Sequence, residues 1–129
     1  MMIFVIGSGL REICGDQSAF GLTFIRPAVT VPMYRLFSID RRFAALVEEP
    51  EGGAAISGEL CELSAEDNEA LLLAEPKGVE QKSINLSDGR LVVSAVSTLA
   101  ALPSGSLDIT KFGSFSAFIK SIKRGVSSG

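Results

Sequence analysis

Three features of the chain have residue types and spacing that can do chemistry. The first is the stretch "VIGSGL" (5–10), where an apolar run opens into Gly7, Ser8 and Gly9. A glycine-rich turn after a strand has three readings. It is a structural turn, in which glycine supplies dihedrals that other residues resist. It is a cradle of bare backbone N–H groups for a small anion. Or it is the phosphate loop of a dinucleotide domain. The last is the weakest. It needs a third glycine where Glu12 stands, and a ribose-binding acid closing the second strand, whereas residues 23–39 contain none.

The second feature is Glu75, in "AEPKGV" (74–79), and the third is Tyr34, the single tyrosine. They matter because the chain has no histidine. That absence removes Ser-His-Asp and Cys-His catalysis and most zinc sites. Acid–base work falls to Glu, Asp, Lys, Tyr or Cys. Glu75 follows a helical stretch and precedes Pro76. Exposed, it is an ordinary helix-end carboxylate; buried in a cleft, its pKa rises as a general acid or base requires. The Tyr34 hydroxyl either lines a pocket or sits at a wetted sheet edge. Arg35 faces the opposite side of the same strand. Lys77 is either a contact for an anion or a surface group. Asp108 reads as a cap for the turn ahead of the last helix. Cys14 and Cys61 have no partners at metal-ligand spacing, so no metal and no cofactor are expected.

These groups must be positioned by one domain, since the chain has 129 residues. Hydrophobic residues make up 47%, enough for a core. No apolar run reaches the ~18 residues of a membrane span, and the start lacks the charged region of a signal peptide. The expectation is cytoplasmic, without membrane attachment. The net charge is −3 and basic residues are dispersed, which disfavours nucleic acid.

Met2 to Ile6 reads as a buried strand, and residues 10–20 hold a short helix at most. "LTFIRPAVTVPMYRLFSI" is β-branched and aromatic, two extended segments punctuated by Pro27 and Pro32. "FAALVEEPEGG" is a strand and turn, and "AAISGELCEL" a strand. "SAEDNEALLLAEP" predicts a helix capped by Ser64, with Asp67 completing a capping box and Pro76 as stop. Asp88-Gly89 predicts a hairpin with a two-residue primed turn. Phe115, Phe118, Ile119 and Ile122 form an apolar stripe on a final helix. The domain spans 1–124, with 125–129 as a flexible tail. Mostly strands, with a central and a terminal helix, is α+β rather than doubly wound.

Three stretches taken together resemble a known family. "TVPMYRLFSI" (Thr30–Ile39) resembles the T-x-P-x-Y-R-L motif of the allophanate hydrolase C-terminal domain. "LDITKFGSFSAFI" (Leu107–Ile119) resembles its closing D-I-[ST]-x-F-G-x-[FW] signature. "GGAAISGELCEL" and the "LSDGR" turn lie in matching order between them. The resemblance covers nearly the whole chain and implies a γ-glutamylcyclotransferase-like fold, a small mixed β-barrel with flanking helices. In cyclotransferases a Y-G-S-x-L loop holds the substrate through main-chain amides; Ile6, Gly7, Ser8, Gly9 and Leu10 stand in its place. Their acid–base glutamate falls at Lys77 here, with Glu75 two positions earlier. The resemblance thus implies Glu75 and Tyr34 as catalytic candidates. The implied ligand is a small carboxylate or amide, with decarboxylation in urea metabolism as the implied reaction. The alternative it implies is an accessory module for an amidase partner, or a homo-oligomer.

Overall fold

The computed structural model describes residues 1–7, 10–14 and 20–127. Its centre is a mixed sheet that curls around strand β7 (Leu91–Ser97). One edge of β7 pairs antiparallel along its length with β6 (Glu80–Asn85), from Glu80↔Val96 to Asn85↔Leu91. The other edge is shared. β1 (Met2–Val5) lies parallel to its first half through Ile3↔Val93. β4 (Phe43–Glu48) lies parallel to its second half through Leu46↔Val96. The sheet therefore forks at β7.

On one branch, β1 pairs with β5 (Ser57–Glu62), which pairs with β2 (Thr23–Val29). On the other, β4 pairs with β3 (Tyr34–Ile39), which meets the short β8 (Leu107–Asp108). β2 pairs on one side only, which is where a strand tolerates Pro27 and its missing N–H. The short helix α1 (Arg11–Cys14) follows β1, α2 (Ala65–Ala74) connects β5 to β6, and α3 (Phe115–Ser127) is the last element. This is the α+β class expected from the sequence; the mixed sheet curls into a half-barrel, and α1 is the short helix that residues 10–20 allowed.

The core lies inside the curl. Phe4, Tyr34, Leu36, Leu46, Ile56, Leu60, Ile84 and Ile109 are at most 1% exposed, and Phe115 and Phe118 of α3 pack into the same cluster. The stripe on α3 is thus the expected core face. The helix itself runs on to Ser127, beyond the Arg124 boundary read from sequence. No helix among the described residues is long and apolar enough to cross a membrane.

Local chemistry sets the ends of the elements. Ser64 caps α2 by accepting the Asp67 N–H at 3.1 Å, and Pro76 follows the end of the helix. Asp108 accepts from the Thr110 amide and hydroxyl and pairs with Arg35. This ties β8 to β3.

Two turns differ from expectation or went unread. At Asp88-Gly89 only Gly89 has positive φ, 90°. The Gly89 N–H donates to Leu86 O, and the Leu86 N–H donates to Arg90 O. The loop is one residue longer than a two-residue primed turn: a type I turn closed by a glycine bulge, which needs a single left-handed residue. The two consecutive left-handed residues stand instead at Asp40 (54°) and Arg41 (58°), in the β3–β4 hairpin, where the Arg42 N–H donates to Ile39 O. Neither is glycine, so the twist of the flanking strands holds a conformation that L residues resist.

Candidate functional site

The fork at β7 produces a cavity. Where β1 and β4 diverge, their backbones leave a space of about 60 Å³. That is room for a few water molecules or one small polar group. The β1 end contributes Ile6 and Gly7, the β4 start Phe43 and Ala44, and α2 Leu71. Glu75, directly after α2, reaches the same cavity, as do Gln81 of β6 and Arg42 of the strained turn.

At Gly7 the backbone after β1 lies close to the start of β4. A Cβ there would lie 3.2 Å from the Ala44 backbone nitrogen, closer than side-chain carbons normally come. The β1 end can therefore face the cavity with bare backbone.

Glu75 is placed by the exit from α2. Its own N–H closes the helix on Leu72 O. Gly78, at φ 93°, then turns the chain into β6, and a Cβ there would collide with Ala101 O. One carboxylate oxygen of Glu75, Oε2, is enclosed and has no hydrogen-bond partner among the described residues. Burial disfavours the charged form, so the pKa is raised from 4.5 to about 7. Near neutrality this carboxyl is divided between acid and base. Gln81 is held by a reciprocal pair of amide hydrogen bonds with Asn68, which fixes the wall between α2 and β6. Arg42 is exposed, and no ion pair joins it to another described residue. It offers a positive charge at the cavity mouth.

Of the residues singled out from sequence, Ile6, Gly7 and Glu75 come together here. Ser8 and Gly9 lie outside the described residues. Leu10 does not join them. Its N–H is spent on Gly7 O at 3.0 Å, and it lines a separate groove.

Tyr34 does not reach the cavity either. It is 1% exposed in the core, and its hydroxyl accepts the Asn85 N–H at 3.0 Å. Its hydroxyl joins the start of β3 to the end of β6, apart from the cavity lining. Lys77 is exposed and away from the cavity lining. Arg42 was missed because an arginine in a polar turn reads as solvated. Among the described residues, no group of three or more His, Cys, Asp or Glu side chains is gathered to hold a metal.

The fold agrees with what the chain is similar to. The family model of the allophanate hydrolase C-terminal domain matches residues 1–120. A uropathogenic E. coli-specific protein of known structure is 29% identical, with TM-score 0.78, covering 92% of this chain and 94% of that one. Allophanate hydrolase from Kluyveromyces lactis is 21% identical, with TM-score 0.74; the match covers 94% of this chain but only 21% of that one. K. lactis urea amidolyase is matched with the same identity and TM-score over 8% of its chain. Comparison with curated proteins gives no match. The chain belongs to the allophanate hydrolase C-terminal domain family.

Proposed function

We propose that this member of the allophanate hydrolase C-terminal family binds a small carboxylated amide in the Glu75 cavity and promotes its decarboxylation. The observation that carries the reading is the enclosed, unpartnered Glu75 oxygen with its raised pKa, beside the bare backbone at Gly7. The substrate's carboxylate meets Arg42 at the mouth, and its amide end meets Glu75 inside. When the bond from nitrogen to the carboxylate carbon breaks, carbon dioxide leaves and the electron pair stays on nitrogen. Glu75 in its acid form donates the proton that nitrogen then needs, and water restores it. A carboxyl poised near neutrality suits that transfer. Such a reaction belongs beside an amidase that releases a carboxylated product, as in urea metabolism.

The test is carbon dioxide release when the chain is added to an amidase acting on allophanate. The reading expects faster release with the native chain and not with Glu75→Gln. Equal release with and without the native chain overturns the catalytic step.

A second reading is supported by the domain's setting. In the K. lactis enzymes it accounts for a small fraction of a longer chain. Here it would serve as an accessory module for an amidase-type partner or for self-association. Light scattering and co-purification with an amidase test it. A monomer that retains no amidase counts against it.

A further inference from the structure

We infer that Leu71 is a specificity-determining residue of the Glu75 cavity: it walls the space beside Glu75, so that the ligand taken there ends in an unsubstituted amide, and amides carrying an alkyl group on nitrogen are refused. The inference rests on the reading that this cavity holds a small carboxylated amide, and it names which members of that class enter.

Three consecutive leucines, Leu71, Leu72 and Leu73, stand near the end of α2. Their surroundings differ. Leu72 is 43% exposed and Leu73 89%, whereas Leu71 packs against the core cluster and lines the cavity. Residues three and four apart share one side of a helix. Asn68, Leu71 and Glu75 therefore stand in a row on the side of α2 that meets the sheet. Leu71 is one turn before Glu75 in the same cavity wall.

That wall is stiff. Asn68, at one end of the row, is joined to Gln81 of β6 by hydrogen bonds of 2.7 and 3.2 Å. Moving α2 away from the sheet breaks both. The opposite side offers no room either. Phe4, Ile6 and Ala44 line it and are all buried. Gly7 already lies against the Ala44 backbone.

The space itself sets the limit. An apolar cavity of about 150 Å³ accepts benzene. By that scale the 60 Å³ here takes roughly two or three heavy atoms. A carboxamide group supplies a carbon, an oxygen and a nitrogen. The enclosed Glu75 Oε2 lacks a hydrogen-bond partner among the described residues, which draws the amide nitrogen to it. The carboxylate end stays at the mouth with Arg42. An alkyl group on the nitrogen then competes with the Leu71 side chain for the same space.

The experiment is an amide NMR titration of the whole chain at pH 6 with oxamate, N-methyloxamate and N-propyloxamate. The native chain should bind oxamate more tightly than N-propyloxamate by about tenfold or more, since even one methylene in a closed apolar wall discriminates on that scale. Leu71→Ala removes three carbons, as many as the propyl group adds. It should raise the affinity for N-propyloxamate relative to oxamate by about tenfold or more. Leu71→Val removes one carbon and should shift the ratio for N-methyloxamate in the same direction; it decides if Leu71→Ala fails to fold. Leu72→Ala, at the exposed neighbour, should leave both ratios as they are. The inference is overturned if the native chain binds N-propyloxamate as tightly as oxamate, if a folded Leu71 variant leaves its ratio unchanged, or if Leu72→Ala shifts the ratios equally. In each of those cases oxamate binding beside Glu75 leaves the reading of the cavity standing. If no probe binds, that reading falls and the inference with it.

Discussion

Glu75 and Gly7 face one cavity although 67 residues separate them: one stands at the exit from α2, the other at the end of β1. The carboxyl is pushed up to about 7 by burial, and the glycine keeps the β1 backbone uncovered beside it.

Glu75→Gln should change stability in a pH-dependent way. A carboxyl whose folded pKa lies above its unfolded value binds more protons when folded between about pH 4.5 and 7. Native stability then falls as pH rises through that window and levels off above it. Glutamine removes the penalty. The variant should match the native chain near pH 4 and exceed it at pH 8 by about 1–2 kcal/mol, the full shift being discounted because water reaches part of the group. Urea unfolding at the two pH values measures this.

Arg42→Ala should leave the fold intact, since the side chain is exposed. It should weaken a small carboxylate in the cavity by about tenfold, or roughly 1.4 kcal/mol. The loss should shrink in high salt, where an exposed charge is screened. Titration calorimetry at two ionic strengths reads both effects.

Tyr34→Phe should cost about 1 kcal/mol through the lost acceptor for the Asn85 N–H. It should leave ligand affinity unchanged. A fall in affinity without a fall in stability would return Tyr34 to the site.

Asp108→Ala should cost about 1–2 kcal/mol at neutral pH, because Thr110 and Arg35 lose a shared partner. Partial burial pushes this carboxyl up, but the hydrogen bonds from Thr110 and Arg35 outweigh it and hold the pKa below the usual value. Its stabilisation is present above the unfolded pKa and is lost as pH falls through the folded one. The gap between variant and native chain should therefore close in strong acid, as thermal melts across pH would show.

The sequence made some of this legible and hid the rest for physical reasons. α2 was readable because its punctuation is local: Ser64 caps it and Pro76 ends it. The α3 stripe was readable because Phe115 and Phe118 repeat at helical spacing. The shape of the Asp88-Gly89 turn was not, since a dipeptide does not reveal the extra loop residue. The hairpin turn at Asp40 and Arg41 lacks any glycine to announce it, and the fork that opens the cavity depends on two distant strands sharing the β7 edge. The burial of Tyr34 was not legible, because alternation gives the face of a strand, not what lies against it. The direction of Glu75 was not written in the chain either, since Gly78 and Ala101 fix it through a long-range contact.

The most direct test uses oxamate, a small molecule with one carboxylate and one amide. Amide NMR and a crystal soak at pH 6, where most Glu75 carries its proton, should locate it beside Gly7, Ala44 and Glu75, with its carboxylate toward Arg42. Affinity should fall at pH 8.5 and in Glu75→Ala. A cavity that stays closed to oxamate at both pH values, with no shift at Gly7 or Glu75, would contradict the account.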